Sequence, residues 1–184
     1  MVIFAQNHFM SKPFSDLGIF PALQQGLADL NITVPTDIQK KTLPVVLNQT
    51  EDVLALAKTG TGKTAAFGLP LLQLIDSENT EIQGVILAPT RELGQQIHAN
   101  LMAYAAHIPE ISITAVCGGI PIKPQIERLT SPTHIVVATP GRLVDLIGRG
   151  AINIKNLTYL VLDEADEMVS AFKDDLDRII DEIP

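Results

Sequence analysis

The stretch Val53–Thr64 reads VLALAKTGTGKT. A short, continuous apolar run gives way to a glycine-rich turn and then to GKT. The first part has the pattern of a strand covered on both faces. The second is close to the phosphate-binding loop G-x-x-x-x-G-K-S/T, with Ala57 where the first glycine stands. A phosphate chain needs converging backbone N–H groups, a helix N-terminus and a cation. Gly60 and Gly62 let the backbone approach closely. Lys63 supplies a point charge, and the Thr64 hydroxyl is a hard oxygen donor suited to Mg²⁺. Alanine at 57 is small enough to leave the cradle intact. A plain glycine-rich turn is the competing reading, and the order strand, loop, GKT, helix weighs against it.

Outward from this stretch, apolar runs alternate with helical patterns. Strands are expected at Val53–Ala57, Gly84–Pro89, Ile111–Val116, His134–Thr139 and within Thr158–Asp166. Helices are expected at Gly62–Ile75, Arg91–His107, Ile122–Leu129 and Arg142–Ile147, with an acidic helix at the C-terminal end. Two more, Pro21–Leu30 and Thr36–Asn48, precede this core; Pro44 is expected to kink or end the second. Strands alternating with helices predict an α/β fold, a parallel sheet covered on both faces. Ligands bind such sheets at the carboxyl ends of the strands. AKTGTGKT, PTREL, CGG, TPGR and DEAD each follow a strand, so all would gather at one rim.

Bulk properties narrow the class. The chain has 184 residues, enough for one domain with a real core. No apolar run reaches the roughly 18–20 residues a membrane helix needs. The apolar start MVIFAQNHFMSK has no basic n-region, which argues against a secretory signal. A single cysteine, Cys117, gives no disulfide framework and fits a reducing, cytoplasmic setting. The net charge of −8 argues against a nucleic-acid binder if taken whole. Its distribution alters that. Residues 163–184 hold nine acids and two bases, a net of −7, which leaves −1 for the first 162. Most of the molecule is therefore free to present a local basic surface.

A Mg–nucleotide site also needs a carboxylate at the end of a second strand. Asp163, after YLVL, fits, and Glu164 beside it can orient or deprotonate a water. The plainer reading makes both of them acids at a helix N-terminus. Likewise Thr36-x-x-Gln39 is a capping box, yet a glutamine amide also donates and accepts as adenine requires.

Ala57–Thr64 together with Asp163-Glu164-Ala165-Asp166 resembles the DEAD-box family of ATP-dependent RNA helicases. PTDIQ (Pro35–Gln39), with Phe14 upstream, is similar to that family's adenine-reading Q motif. PTREL (Pro89–Leu93), Gly118-Gly119 and TPGR (Thr139–Arg142) resemble its RNA-facing motifs, in the family's order; alanine at 57 is the family's residue too. The resemblance implies a RecA-like P-loop domain over residues 1–184, with Q-motif helices at about 13–49 and the core at about 50–184. It implies ATP and Mg²⁺ as cofactors. Phe14, Gln39, Ala57, Lys58, Thr59, Gly60, Thr61, Gly62, Lys63 and Thr64 would bind nucleotide. Thr64 and Asp163 would hold the metal, and Lys63, Asp163 and Glu164 would carry the chemistry. Pro89, Thr90, Arg91, Gly118, Gly119, Thr139, Pro140, Gly141 and Arg142 would grip RNA without reading its sequence, and Asp166 would couple the site to a second RecA-like domain.

That second domain, and a further strand bearing a Ser-Ala-Thr motif between the loop strand and the DEAD strand, are implied by the resemblance and do not occur in this sequence. The chain is therefore expected to be part of a longer enzyme, weak in ATP binding and turnover and unable to unwind alone. Two other classes compete: an ATP-regulated RNA-binding or scaffold fragment, and a P-loop ATPase acting on DNA or protein. The nucleotide site common to these readings rests on one spatial requirement. Lys63 and Asp163, a hundred positions apart, must meet at one pocket.

Overall fold

The computed structural model describes residues 13–48, 52–58 and 60–184. Four strands form one parallel sheet: β1 (Gly84–Leu87), β2 (Ile113–Val116), β3 (Ile135–Ala138) and β4 (Tyr159–Leu162), in the order β2-β3-β1-β4. Gly84 registers against both Ile135 and Tyr159, and Ile113 against Ile135, so the strands start level.

Alternation along the strands feeds two cores. Ile86, Ile135 and Val137 point to one side, where they meet Leu23, Leu43, Leu69, Ile97 and Leu101. Val85, Leu87 and Val136 point to the other, against Leu143, Leu146, Met168 and Ile179. The first layer is α1 (Pro21–Asp29), α2 (Asp37–Leu47), α3 (Lys63–Leu74) and α4 (Arg91–Tyr104). The second is built from α6 (Pro140–Gly148), α7 (Ala165–Ala171) and α8 (Lys173–Ile180), with the short α5 (Lys123–Arg128) after β2. Both faces are covered, which is why the strands read as unbroken apolar runs.

Three expectations are corrected. Val53–Ala57 forms no strand, and Leu54 and Leu56 are 82% and 88% exposed. An apolar run records a need for two covered faces but cannot supply the neighbouring strand to pair with. Among the described residues β4 is the sheet edge on that side and pairs only with β1. Pro44 does not end its helix: α2 runs on to Leu47, and Asn48 N–H closes back onto the Pro44 carbonyl. The acidic C-terminal helix is two helices, with Phe172 at the break.

Within the helix layer ahead of the sheet, α1 meets α4 and the turn after it at Gly26 and Asp29. Gly26 lies directly on the α4 backbone at Ala103 and Tyr104. Asp29 accepts a 2.7 Å hydrogen bond from His107, which, with a bond from Gln25, holds its carboxyl below the usual carboxylate range.

Candidate nucleotide and nucleic-acid site

Parallel strands put every following loop at one rim. The ladder continues past each strand: Asp163 N–H donates to Leu87 O, Ala88 N–H to Ala138 O, and Thr139 N–H to Val116 O. Asp163, Ala88 and Thr139 are therefore fixed by backbone bonds before any side chain acts.

Lys63 opens α3 and Asp163 ends β4, and they meet, with Nζ 3.9 Å from Oδ1. The spatial requirement is satisfied. Asp163 is 7% exposed. Burial pushes its carboxyl above the usual carboxylate range, and the Lys63 ammonium and the Glu164 N–H pull it back only in part. Glu164 itself has φ 53°, ψ 53°. A left-handed backbone at a non-glycine residue costs about 1 kcal/mol and is found where a side chain must be aimed.

The glycines of the loop have local reasons. Gly60 and Gly62 have φ 81° and 90°. At Gly62 a Cβ would lie 2.5 Å from Gln39 Nε2 and 3.2 Å from Thr36 Oγ1. The turn between them is held by Thr61 Oγ1 donating to Lys58 O at 2.7 Å. Ala57 is half-buried and Lys58 exposed; Thr59 lies outside the described residues.

Gln39 is 3% exposed. Its Oε1 accepts from Thr36 N–H at 2.9 Å, which is its half of the capping box, and its Nε2 donates to Gly62 O at 3.0 Å. The amide thus clamps the start of α2 to the phosphate loop. Removing it takes away two partly buried bonds, from the exposed Thr36 N–H and to the half-buried Gly62 carbonyl, at about 0.5–1.5 kcal/mol each. Gln39→Ala is accordingly expected to lower the denaturation midpoint and to weaken nucleotide binding together. Unchanged values in urea titration and nucleotide titration would contradict this. Phe14 is 4% exposed and packs in the first core. Its ring would have to leave that core to stack on a base.

A hydroxyl at Thr64 and a buried carboxylate at Asp163 are the hard oxygen donors that Mg²⁺ takes. Burial that disfavours the Asp163 charge is relieved by a cation, so the pair fits the ion. The rest of its shell would come from phosphate and water.

The remaining motifs line a groove of about 490 Å³, whose walls include Pro89, Arg91, Gly118, Thr139, Gly141 and Arg142. Thr90 caps α4, its Oγ1 accepting from Leu93 N–H at 3.2 Å. Arg91 pairs with Glu92 at 2.8 Å. Gly119, at φ 74°, adjoins Arg91 Nη1. Thr139 Oγ1 accepts from Gly118 N–H at 2.9 Å, tying two motifs together. Pro140 is buried. Arg142 donates through Nη2 to Ile120 O at 2.9 Å, while its Nη1 has no protein partner. Asp166 is exposed on the first turn of α7.

Sequence reasoning missed Gln125. It is 1% exposed and binds both the N–H and the C=O of Cys117 and the carbonyl of Pro121. It thereby shapes the Gly118-Gly119 loop. A lone glutamine in a short helix gives no signal of this. Gly94 also has a reason: a Cβ there would lie 3.3 Å from Cys117 Sγ.

The DEAD/DEAH box helicase family profile matches residues 36–184. The DEAD-box ATP-dependent RNA helicase CshA of Bacillus cereus is 41% identical over 93% of this chain and 32% of its own length. The RNA helicase CrhR of Synechocystis is 44% identical over 95% and 35%. The chain thus spans about a third of these curated relatives. The crystal structure of a DEAD box protein from Methanococcus jannaschii superposes with TM-score 0.87 at 38% identity, covering 94% of this chain and 47% of that one. A Saccharomyces cerevisiae Dbp5 variant bound to RNA and ADP BeF3 gives 0.85 at 30% identity, covering 94% and 44%. Phosphate loop, carboxylate strand end and parallel sheet are those of a RecA-like domain, and the chain belongs to the DEAD/DEAH box helicase family.

Proposed function

We propose that this chain is the nucleotide- and RNA-binding half of an ATP-dependent RNA helicase. The approach of Lys63 to Asp163 within 3.9 Å carries the reading. It supports one phosphate-and-metal pocket at the rim that also bears the groove. Lys63 and the loop N–H groups would neutralise the phosphates, and Thr64 and Asp163 would hold Mg²⁺, which supplies charge stabilisation when bound. Glu164, aimed by its left-handed backbone, would orient the attacking water. Gln39 would report adenine by its remaining lone pair and proton, and Ala57, Lys58, Thr59, Gly60 and Thr61 would complete the loop.

Thr90, Arg91, Gly118, Gly119, Thr139, Gly141 and Arg142 would grip phosphates and sugars, with Pro89 and Pro140 setting the backbone. None of these reads base edges, so binding would not depend on sequence. A second RecA-like domain would close on this face, sensed through Asp166, bend one RNA strand and open a short duplex. Such a domain would also bring charge to the γ-phosphate, a contribution of about 10³–10⁵ in rate. The chain alone is expected to turn over ATP slowly.

The test is the ATPase rate of the complete gene product with RNA, with DNA and with neither. RNA-specific stimulation is expected. Equal stimulation by DNA would move the assignment to a P-loop ATPase of another substrate class.

A further inference from the structure

The opposite rim of the sheet, at the amino ends of the strands, carries a second cavity, of about 180 Å³. Its walls are the segments that lead into β1, β3 and β4. Glu81 and Asn156 are exposed at its mouth, and Thr133 and Ile152 are buried within it. A strand of four residues spans about 13 Å. The cavity is therefore separate from the Lys63–Asp163 pocket and the groove, and all three can be filled together.

Buried bonds hold these walls. Gln83, 6% exposed, accepts from Asp76 N–H and donates to the carbonyls of Asp76 and Asn79. Its own carbonyl accepts from Thr158 N–H and Tyr159 N–H, which ties the approach to β1 to the approach to β4. Thr133 and Thr114 share a hydrogen bond of 3.0 Å. Across the mouth, Asn156 Nδ2 donates to Glu81 Oε2 at 2.5 Å. The shape thus exists before anything enters it, which lowers the ordering cost of binding.

The lining selects the guest. Among the described residues that line it, Glu81 carries the one formal charge, and no described lysine or arginine pairs with it. Arg128 and Lys155, next in sequence to Leu129 and Asn156, do not line the cavity. Phosphate is repelled here and a cation is drawn in. Glu81 Oε1 is an acceptor to which no described residue donates, while Ile82, Leu129 and Ile152 give an aliphatic stem an apolar wall. The volume is close to the roughly 150 Å³ that encloses one benzene and below the roughly 300 Å³ of small-molecule pockets. It suits a single side chain. Arginine carries a charged fork on an aliphatic stem and is a frequent anchor of protein interfaces.

We propose that this cavity is a docking site for a polypeptide partner, which inserts one arginine side chain and pairs its guanidinium with Glu81. Neither nucleotide nor nucleic acid is needed for this contact.

The test is photocrosslinking of the complete gene product by the peptide acetyl-photoleucine-Arg-Ala-amide, mapped by mass spectrometry over a concentration series. Half-saturation is expected in the millimolar range, with labels in segments 80–82 and 151–156. Citrulline in place of arginine keeps the shape and removes the charge, and is expected to weaken labelling about 5-fold. Glu81→Gln keeps an acceptor for Asn156; it is expected to melt like the parent by circular dichroism and to label about 5-fold more weakly. Saturating oligouridine is expected to leave labelling unchanged. Labels confined to other segments, equal labelling by the citrulline peptide, or parental labelling of Glu81→Gln overturns the proposal. So does displacement by oligouridine, which would put the peptide in the groove. Free arginine amide that competes as tightly as the peptide binds makes the cavity a small-molecule site and overturns the polypeptide partner.

Discussion

Asp163→Ala in the complete gene product is expected to lower the proposed RNA-stimulated ATP turnover by at least about 10²–10³-fold, the scale seen when one preorganised electrostatic group is removed from an active site. The carboxylate is 7% exposed and has Lys63 Nζ 3.9 Å away. Its removal takes away the carboxylate proposed to hold Mg²⁺ and leaves the lysine charge without its opposite. Asp163→Asn keeps the volume and separates charge from packing; it is expected to lose turnover equally while melting like the parent. The strand end is held by the bond from Asp163 N–H to Leu87 O, which neither substitution touches. Circular dichroism and steady-state ATPase assays on both variants are sufficient. Parental turnover in either one would remove Asp163 from the chemistry.

Gly26→Val lowers folding stability by about 3 kcal/mol, the upper part of the usual range for overpacking a close-packed contact. Any Cβ at Gly26 runs into the carbonyl of Tyr104 and comes within 3.0 Å of the Ala103 carbonyl. Those atoms are helix backbone and cannot swing aside as a side chain can. The whole of α1 must lift from α4, exposing Leu23 and Leu27, both fully buried. Gly148→Ala is the control: nothing lies within 4 Å of its Cβ position. Urea midpoints should fall sharply for the first and stay put for the second. Equal midpoints would mean that α1 is not held where it is described.

What the sequence revealed followed from the range of the interactions. Gly84–Leu87 and Ile135–Ala138 were legible because each strand buries both faces, and burial writes an unbroken apolar run. Val53–Ala57 has the same pattern without pairing, since a run of apolar residues does not name its neighbour. The Thr36–Gln39 link is local, three residues apart, and was readable. The second bond of Gln39, to Gly62 twenty-three residues on, was not. Chemical necessity, by contrast, carried the meeting of Lys63 with Asp163 over a hundred residues: a Mg–nucleotide site requires a carboxylate, and one follows β4 directly. The Gln125 clamp on Cys117 had no such necessity behind it, and the break at Phe172 turns on packing that composition does not record.

Glu164 keeps a backbone shape that its own side chain disfavours. Thermodynamic fitness alone would have replaced it with glycine or asparagine, which settle there with less strain. That strain is the cost the fold would bear for the water-orienting role proposed for this carboxylate.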